Sequence, residues 1–205
     1  MTVTATTAAE RKRLRILEAA SQCFARLGFA KTTVEDIARE AGVSKGLLYV
    51  HFEGKEGLLE AVLESTLEQW HDDNWEATRA AGPSVVAQLR TMHSASLDFA
   101  MKHPLLQRIL KVDAMLVATI VEGPARRATE RWMDELRELL RTGVERGEIR
   151  DDVDVGHIAE VFRLLHLGYL EHLFEGEWPS IHDPALIDAG ARLLLEGIAT
   201  RGDIS

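Results

Sequence analysis

Thr32-Thr33-Val34-Glu35-Asp36-Ile37-Ala38, then Ala41-Gly42-Val43-Ser44-Lys45-Gly46, then Leu48-Tyr49-Val50-His51-Phe52 make one nearly unbroken stretch whose punctuation decides the fold. Thr33 has Asp36 three positions on, the spacing of a helix cap and its reciprocal carboxylate. Glu is the more usual partner, so a cap with a weak box is predicted. Val34, Ile37, Ala38 and Ala41 then fall on one side of a short helix. Gly42 and Val43 break it, and Ser44 is placed to cap a second short helix to about Val50. Two helices of roughly eight and seven residues cannot stand alone. Their support lies upstream, where Ile16, Ala20, Cys23, Phe24 and Leu27 recur at helical spacing from Glu10 until Gly28. Leu48 and Phe52 point into a small core with Ile16, Phe24 and Ile37. The pattern is a three-helix unit with a helix-turn-helix in its second half. A plain helical bundle satisfies the same periodicity, so the pattern alone leaves DNA binding as one of two readings.

Working outward, the rest of the chain also reads as helix. Predicted segments are Lys55–Glu76, Ser84–Lys102, Pro104–Ala114, Arg126–Arg141 with an extension to Glu145, Asp154–Leu173, and a last helix from Asp183-Pro184 to Thr200. Ala77–Pro83 reads as a loop, and the boundaries between Val112 and Pro124 are indistinct. The class is all-α. The last two helices carry apolar residues on more than one side, among them Val155, Ile158, Phe162, Leu164, Leu165 and Leu167, then Leu193, Leu194 and Leu195. A helix facing its own core and a second subunit has this composition. Two helices enclosed in one monomeric core would share it.

Composition narrows the function classes. The chain has 205 residues, a formal net charge of -9, 46% hydrophobic and 28% charged residues. Residues 1–60 carry nine basic and eight acidic side chains, so the deficit lies in the remainder, at -10. A near-neutral contact module can sit beside an acidic body, because phosphate attraction depends on the local field. The single cysteine, Cys23, excludes an internal disulfide and a multi-cysteine zinc site. No apolar run approaches the roughly 20 residues that span a bilayer. The N-terminus lacks the apolar core of a secretory signal, so a cytoplasmic protein without membrane contact is expected. No HExxH motif, glycine-rich phosphate loop or nucleophile elbow is present, and His166 and His172 are out of phase on one helix. These absences favour a non-enzyme needing no metal or cofactor.

With Lys55-Glu56-Gly57-Leu58-Leu59 added to the quoted stretch, residues 11–63 closely resemble the tetracycline-repressor (TetR) family. Glycines, caps, buried positions and aromatics occur together and in order. The resemblance implies an all-helical homodimer of about nine helices per chain. It implies a helix-turn-helix DNA-binding domain over 1–54 and an effector-binding and dimerisation domain over 55–205, paired through the last two helices. Gly143 and Gly147-Glu148-Ile149-Arg150 resemble a recurrent junction before the penultimate helix. The implied function is a ligand-responsive regulator, most often a repressor, on a palindromic operator from which a small molecule releases it. A helical metabolite-binding protein without DNA binding is the alternative.

Residue by residue, Ser44 leaves backbone N–H groups near phosphate, Lys45 adds a mobile positive charge, and Gly46 permits close approach. Leu47 can meet a thymine methyl or be an ordinary half-exposed leucine. Tyr49 resembles the family tyrosine that contacts the DNA backbone, and Lys55 a phosphate-contacting lysine. Thr33 can serve both cap and phosphate. His51 occupies a position where a ring supports docking, and simple packing explains it as well. Arg11, Lys12, Arg13 and Arg15 strengthen contacts if the arm reaches the duplex. A largely apolar or aromatic effector would be framed by Trp70, His93, Phe99, Leu110, Met115, Trp132, Phe162, His166 and Tyr169, with plain core packing as the competing reading.

Overall fold

Capping sets where the first three helices begin. In the computed structural model, which describes residues 7–111, 114–172 and 184–200, α1 (Ala8–Leu27) opens at Thr7. The Thr7 hydroxyl accepts from Glu10 N, and the Glu10 carboxylate accepts from Thr7 N in return. That box places the start two residues before the periodicity does. α2 (Val34–Ala41) has a complete box as well. Thr33 Oγ1 accepts from Asp36 N at 3.1 Å, and Asp36 Oδ2 accepts from Thr33 N at 3.2 Å and from its hydroxyl at 2.6 Å. The expected weakness is absent, because aspartate's short arm lets one oxygen receive both groups. Gly42 takes the left-handed conformation, φ 64° and ψ 41°, which only glycine adopts without strain. α3 (Lys45–His51) follows from Ser44, whose hydroxyl accepts from Leu47 N at 3.3 Å.

These helices close on the core expected of them: Ile16, Ala20, Cys23, Phe24, Ile37 and Leu48 are fully buried. Cys23 is a packing residue, and burial pushes its thiol pKa up. The buried Thr32 hydroxyl donates to Gly28 O at 2.7 Å, latching the α1–α2 turn. The same core takes Leu58, Leu59, Val62 and Leu63 from α4 (Gly54–Ala80) and Leu105 from α6 (Pro104–Lys111). Gly28 has Arg108 against it, and a Cβ there would lie 2.7 Å from the guanidinium.

α4 outruns its predicted end at Glu76. Asn74 and Thr78 are buried, the Thr78 hydroxyl donates to Asn74 O at 2.7 Å, and no breaker intervenes before Gly82. Ser84 caps α5 (Val85–Lys102) as expected. α7 (Ala114–Glu145) runs through Gly123 and Pro124, which read in sequence as an indistinct boundary. α8 (Val155–His172) and α9 (Pro184–Ile198) complete nine helices among the described residues, with no strand among them. The expected cap Asp183 lies outside the described residues. A second core gathers Leu89, Met92, Trp132, Leu136, Leu140, Phe162 and Leu195. Gly143 is required beside it, since a Cβ there would meet Ile149 Cδ1 at 2.6 Å. Ile149 itself pairs with Ala199 in an isolated antiparallel bridge.

Two compact units result. One comprises Met1–Leu67 with Pro104–Ala125, the other Glu68–His103 with Arg126–Ser205.

Candidate DNA-binding surface and ligand cluster

In the first unit, α3 has two unlike sides. Leu48 is buried, whereas Ser44, Lys45, Gly46, Tyr49 and Val50 are exposed and Leu47 is half-buried. Lys45 Nζ pairs with the Glu35 carboxylate of α2 and lies 5.7 Å from the Tyr49 ring centroid. Their hydrogen bond raises the lysine pKa and lowers that of Glu35. An exposed charge, an aromatic hydroxyl and a half-buried leucine thus share one short helix. Its glycine has open space around the missing Cβ.

Other site candidates have internal partners. Thr33 is exposed, but its hydroxyl donates to Asp36; that hydrogen bond is the main reason the Asp36 pKa is lowered. Lys55 Nζ donates to Phe29 O at 2.9 Å and sits 4.4 Å from the Phe29 ring centroid, tying the start of α4 to the α1–α2 turn. His51 is half-buried with its ring 6.2 Å from Phe52. Arg15 donates to Ala41 O at 2.7 Å, supplying a partner for the α2 C-terminus, and Arg13 lies over the Phe52 ring. Glu35 was missed in sequence; its acidic charge ten residues before Lys45 gave no sign that the two meet.

In the second unit, several expected pocket residues come together around one buried chain of hydrogen bonds. Trp70 Nε1 donates to Ser96 Oγ at 2.7 Å, and Ser96 Oγ lies 2.9 Å from His166 Nε2. The His166 ring stacks on Trp132 with centroids 5.7 Å apart and lies 5.7 Å from the His93 ring. Phe162 and Tyr169 meet His93 edge-on at 6.2 and 5.3 Å. Burial lowers the His93 pKa to about 4; burial and the neighbouring His93 lower that of His166 to about 3. Both rings are therefore neutral at pH 7. Phe99 stands apart from these contacts, stacked on His103 at 3.6 Å. Leu110 and Met115 lie in α6 and α7, with side chains outside the described set. Ser96 was missed, although a serine three residues after His93 on the apolar face of α5 is a legible signal.

α8 buries Ala159, Phe162 and His166 on one side and exposes Val161, Leu164, Leu165 and Leu167 on the others. On α9, Leu193 is 77% exposed. No helix among the described residues is long and apolar enough to cross a membrane.

Comparison with known proteins converges on the same head. The family model of bacterial regulatory proteins, tetR family, matches residues 16–62. The helix-turn-helix-type transcriptional regulator SrpR of Pseudomonas putida is 31% identical over 172 residues, covering 79% of this chain and 75% of SrpR. The chain belongs to the TetR family. It is a TetR-family transcriptional regulator with a DNA-binding helix-turn-helix. The transcriptional repressor KstR2 of Mycolicibacterium smegmatis is 31% identical over 158 residues, 74% of each chain. FadR from Bacillus subtilis, solved in complex with stearoyl-CoA, shares the TetR fold with a TM-score of 0.73. It is 19% identical, over 91% of this chain and 99% of FadR. These relatives and this fold are those of transcription regulators rather than enzymes.

Proposed function

We propose that the protein is a homodimeric, ligand-responsive repressor that binds a palindromic operator and leaves it when a small molecule enters the second unit. The observation that carries this reading is the exposed side of α3, where Lys45 and Tyr49 lie together beside open Gly46. The proposed division of labour is a DNA-binding domain over 1–54 and an effector-binding, dimerising domain over 55–205. In the head, Ser44 and Thr33 present helix N-termini to phosphate, Lys45 and Tyr49 contact the backbone, Leu47 faces base edges, and His51 supports docking. Lys55 acts there through the turn it ties to α4.

Dimerisation is supported by the exposed Leu164, Leu165 and Leu167 of α8 and Leu193 of α9, large apolar side chains left in solvent on the two helices proposed to pair. Two heads on a twofold axis would read inverted half-sites. An effector role for the second unit is supported by its aromatic cluster. KstR2 and FadR lend a repressor's name and a bound ligand respectively, but neither names the ligand here.

The test is selection of genomic fragments by the purified protein, with and without extracts of small molecules. Enrichment of fragments sharing an inverted repeat, lost with Lys45→Met and Tyr49→Phe together, is expected. Leu164→Glu should yield monomers in light scattering and weaken operator binding. If no fragment is enriched while the wild-type dimer is intact, the protein is a metabolite-binding relative without DNA binding.

A further inference from the structure

Building on the effector role proposed for the second unit, we infer that its ligand is an uncharged, largely apolar molecule whose polar end is a hydrogen-bond acceptor such as a carbonyl, received by Trp132, His166 and His93. Ser96 Oγ accepts from Trp70 Nε1 and contacts His166 Nε2. The serine proton is satisfied if it goes to Nε2, which leaves the imidazole proton on Nδ1. His166 Nδ1 is buried with no hydrogen-bond partner among the described residues, and so are Trp132 Nε1 and His93 Nε2. Each of these side chains is at least nine-tenths buried. An indole N–H can only donate, Nδ1–H of His166 donates by the same assignment, and His93 can take either role through its tautomer. Unmet donors in one interior cluster are costly, and an incoming acceptor is what relieves them.

Charge selects against ions. Both imidazoles are held neutral by burial. Of the three side chains, His93 alone borders an open space; the rest of its wall is Phe162, Leu165, Tyr169, Gly190, Ala191 and Leu194, with no charged side chain among them, and His166 and then Trp132 follow on from His93 through ring contacts. A carboxylate would find no cation there and an ammonium no anion, so either would enter at a large desolvation cost. The space has room for about one water molecule, so a ligand must push a wall aside to enter it and to reach the nitrogens of Trp132 and His166. Tyr169 is the wall element with solvent on one side to move towards, since it is only half-buried.

The experiment is calorimetric titration of the full-length protein with matched probes on phenyl and naphthyl scaffolds. Each scaffold carries in turn an acetyl, an ethyl, a carboxylate or an aminomethyl group. The acetyl probe should bind about tenfold more tightly than its ethyl counterpart, the worth of roughly one or two uncharged hydrogen bonds, and more tightly than either ion. Trp132→Phe keeps the ring and removes the donor. It should cut the acetyl advantage about threefold or more, leave ethyl binding unchanged, and leave the melting temperature of the free protein unchanged or higher. A carboxylate or ethyl probe that binds as well as the acetyl one overturns the ligand class while leaving the effector pocket standing. So does an acetyl advantage that survives Trp132→Phe. Failure of every probe to bind at millimolar concentration overturns the pocket together with the class.

Discussion

Replacing Lys55 with methionine separates a lysine that ties the head together from Lys45, which is proposed to contact DNA. The alkyl stem keeps its place against Phe29, while the charge and the donor to Phe29 O are lost. A hydrogen bond from a charged donor contributes roughly 1.5–3 kcal/mol and a cation–π contact roughly 0.5–1 kcal/mol. Lys55 is half-exposed, so water replaces part of both, and the net loss is about 1–2 kcal/mol. For a chain of this size that lowers Tm by roughly 2–8 °C. The companion variant, Lys45→Met, removes a charge whose only described bond is to exposed Glu35, and Tm should barely move. On DNA the order reverses. Each neutralised phosphate contributes about 0.9 to the slope of log affinity against log salt, so losing Lys45 from both heads should flatten that slope by about 2. Lys55→Met should leave the slope unchanged. The assay is fluorescence anisotropy with a selected operator duplex over a potassium chloride series, beside thermal denaturation of the same samples. If Lys55→Met flattened the salt slope and spared Tm, the lysine would be a phosphate contact and its role as a tie would be refuted.

Glu35→Gln frees Lys45 from its carboxylate partner and removes an acidic charge beside α3, so operator affinity should rise and the salt slope steepen; anisotropy that shows weaker binding would count against the proposed surface. Gly190→Ala should destabilise the protein because Tyr169 Oη occupies the space of the new methyl, and Tyr169→Phe should restore part of the loss. Chemical denaturation of the double-mutant cycle should give a coupling of about 1 kcal/mol or more, and additive effects would show that the two groups do not meet. His93 and His166 have pKa values lowered to about 4 and 3, below the ordinary 6.5 they regain on unfolding, so the unfolded chain binds more protons between these limits. Stability present above pH 6.5 should fall as the pH drops towards 4, with His93→Gln reducing the slope by up to about one proton; an unchanged slope between pH 6.5 and 5, above the range of the paired carboxylates, would contradict their burial as neutral rings.

The parts of this fold that were legible are those written locally. Thr33, Gly42 and Ser44 act on neighbours within a few residues, so their caps and break could be read directly. The excess of leucine on α8 signalled a second apolar side, and those leucines are exposed. What stayed hidden depends on pairs distant in sequence. Lys55 meets Phe29 across 26 positions, and Ser96 meets His166 across 70. No period in either helix encodes such a meeting. The aromatic residues of the second unit could be named, but not which of their nitrogens would lack a partner, because that follows from packing of α4, α5, α7 and α8 side chains together.

Leu105 and Arg108 of α6 complete the packing of the first unit from a segment more than forty residues beyond Leu63, the last α4 residue of that core. That bears on how such regulators can be recombined. A chimera that joins residues 1–54 to a foreign sensor exposes the Leu105 site in the head's core and leaves Gly28 without its guanidinium neighbour. The transferable module is discontinuous: exchanging a whole head requires α6 to travel with it.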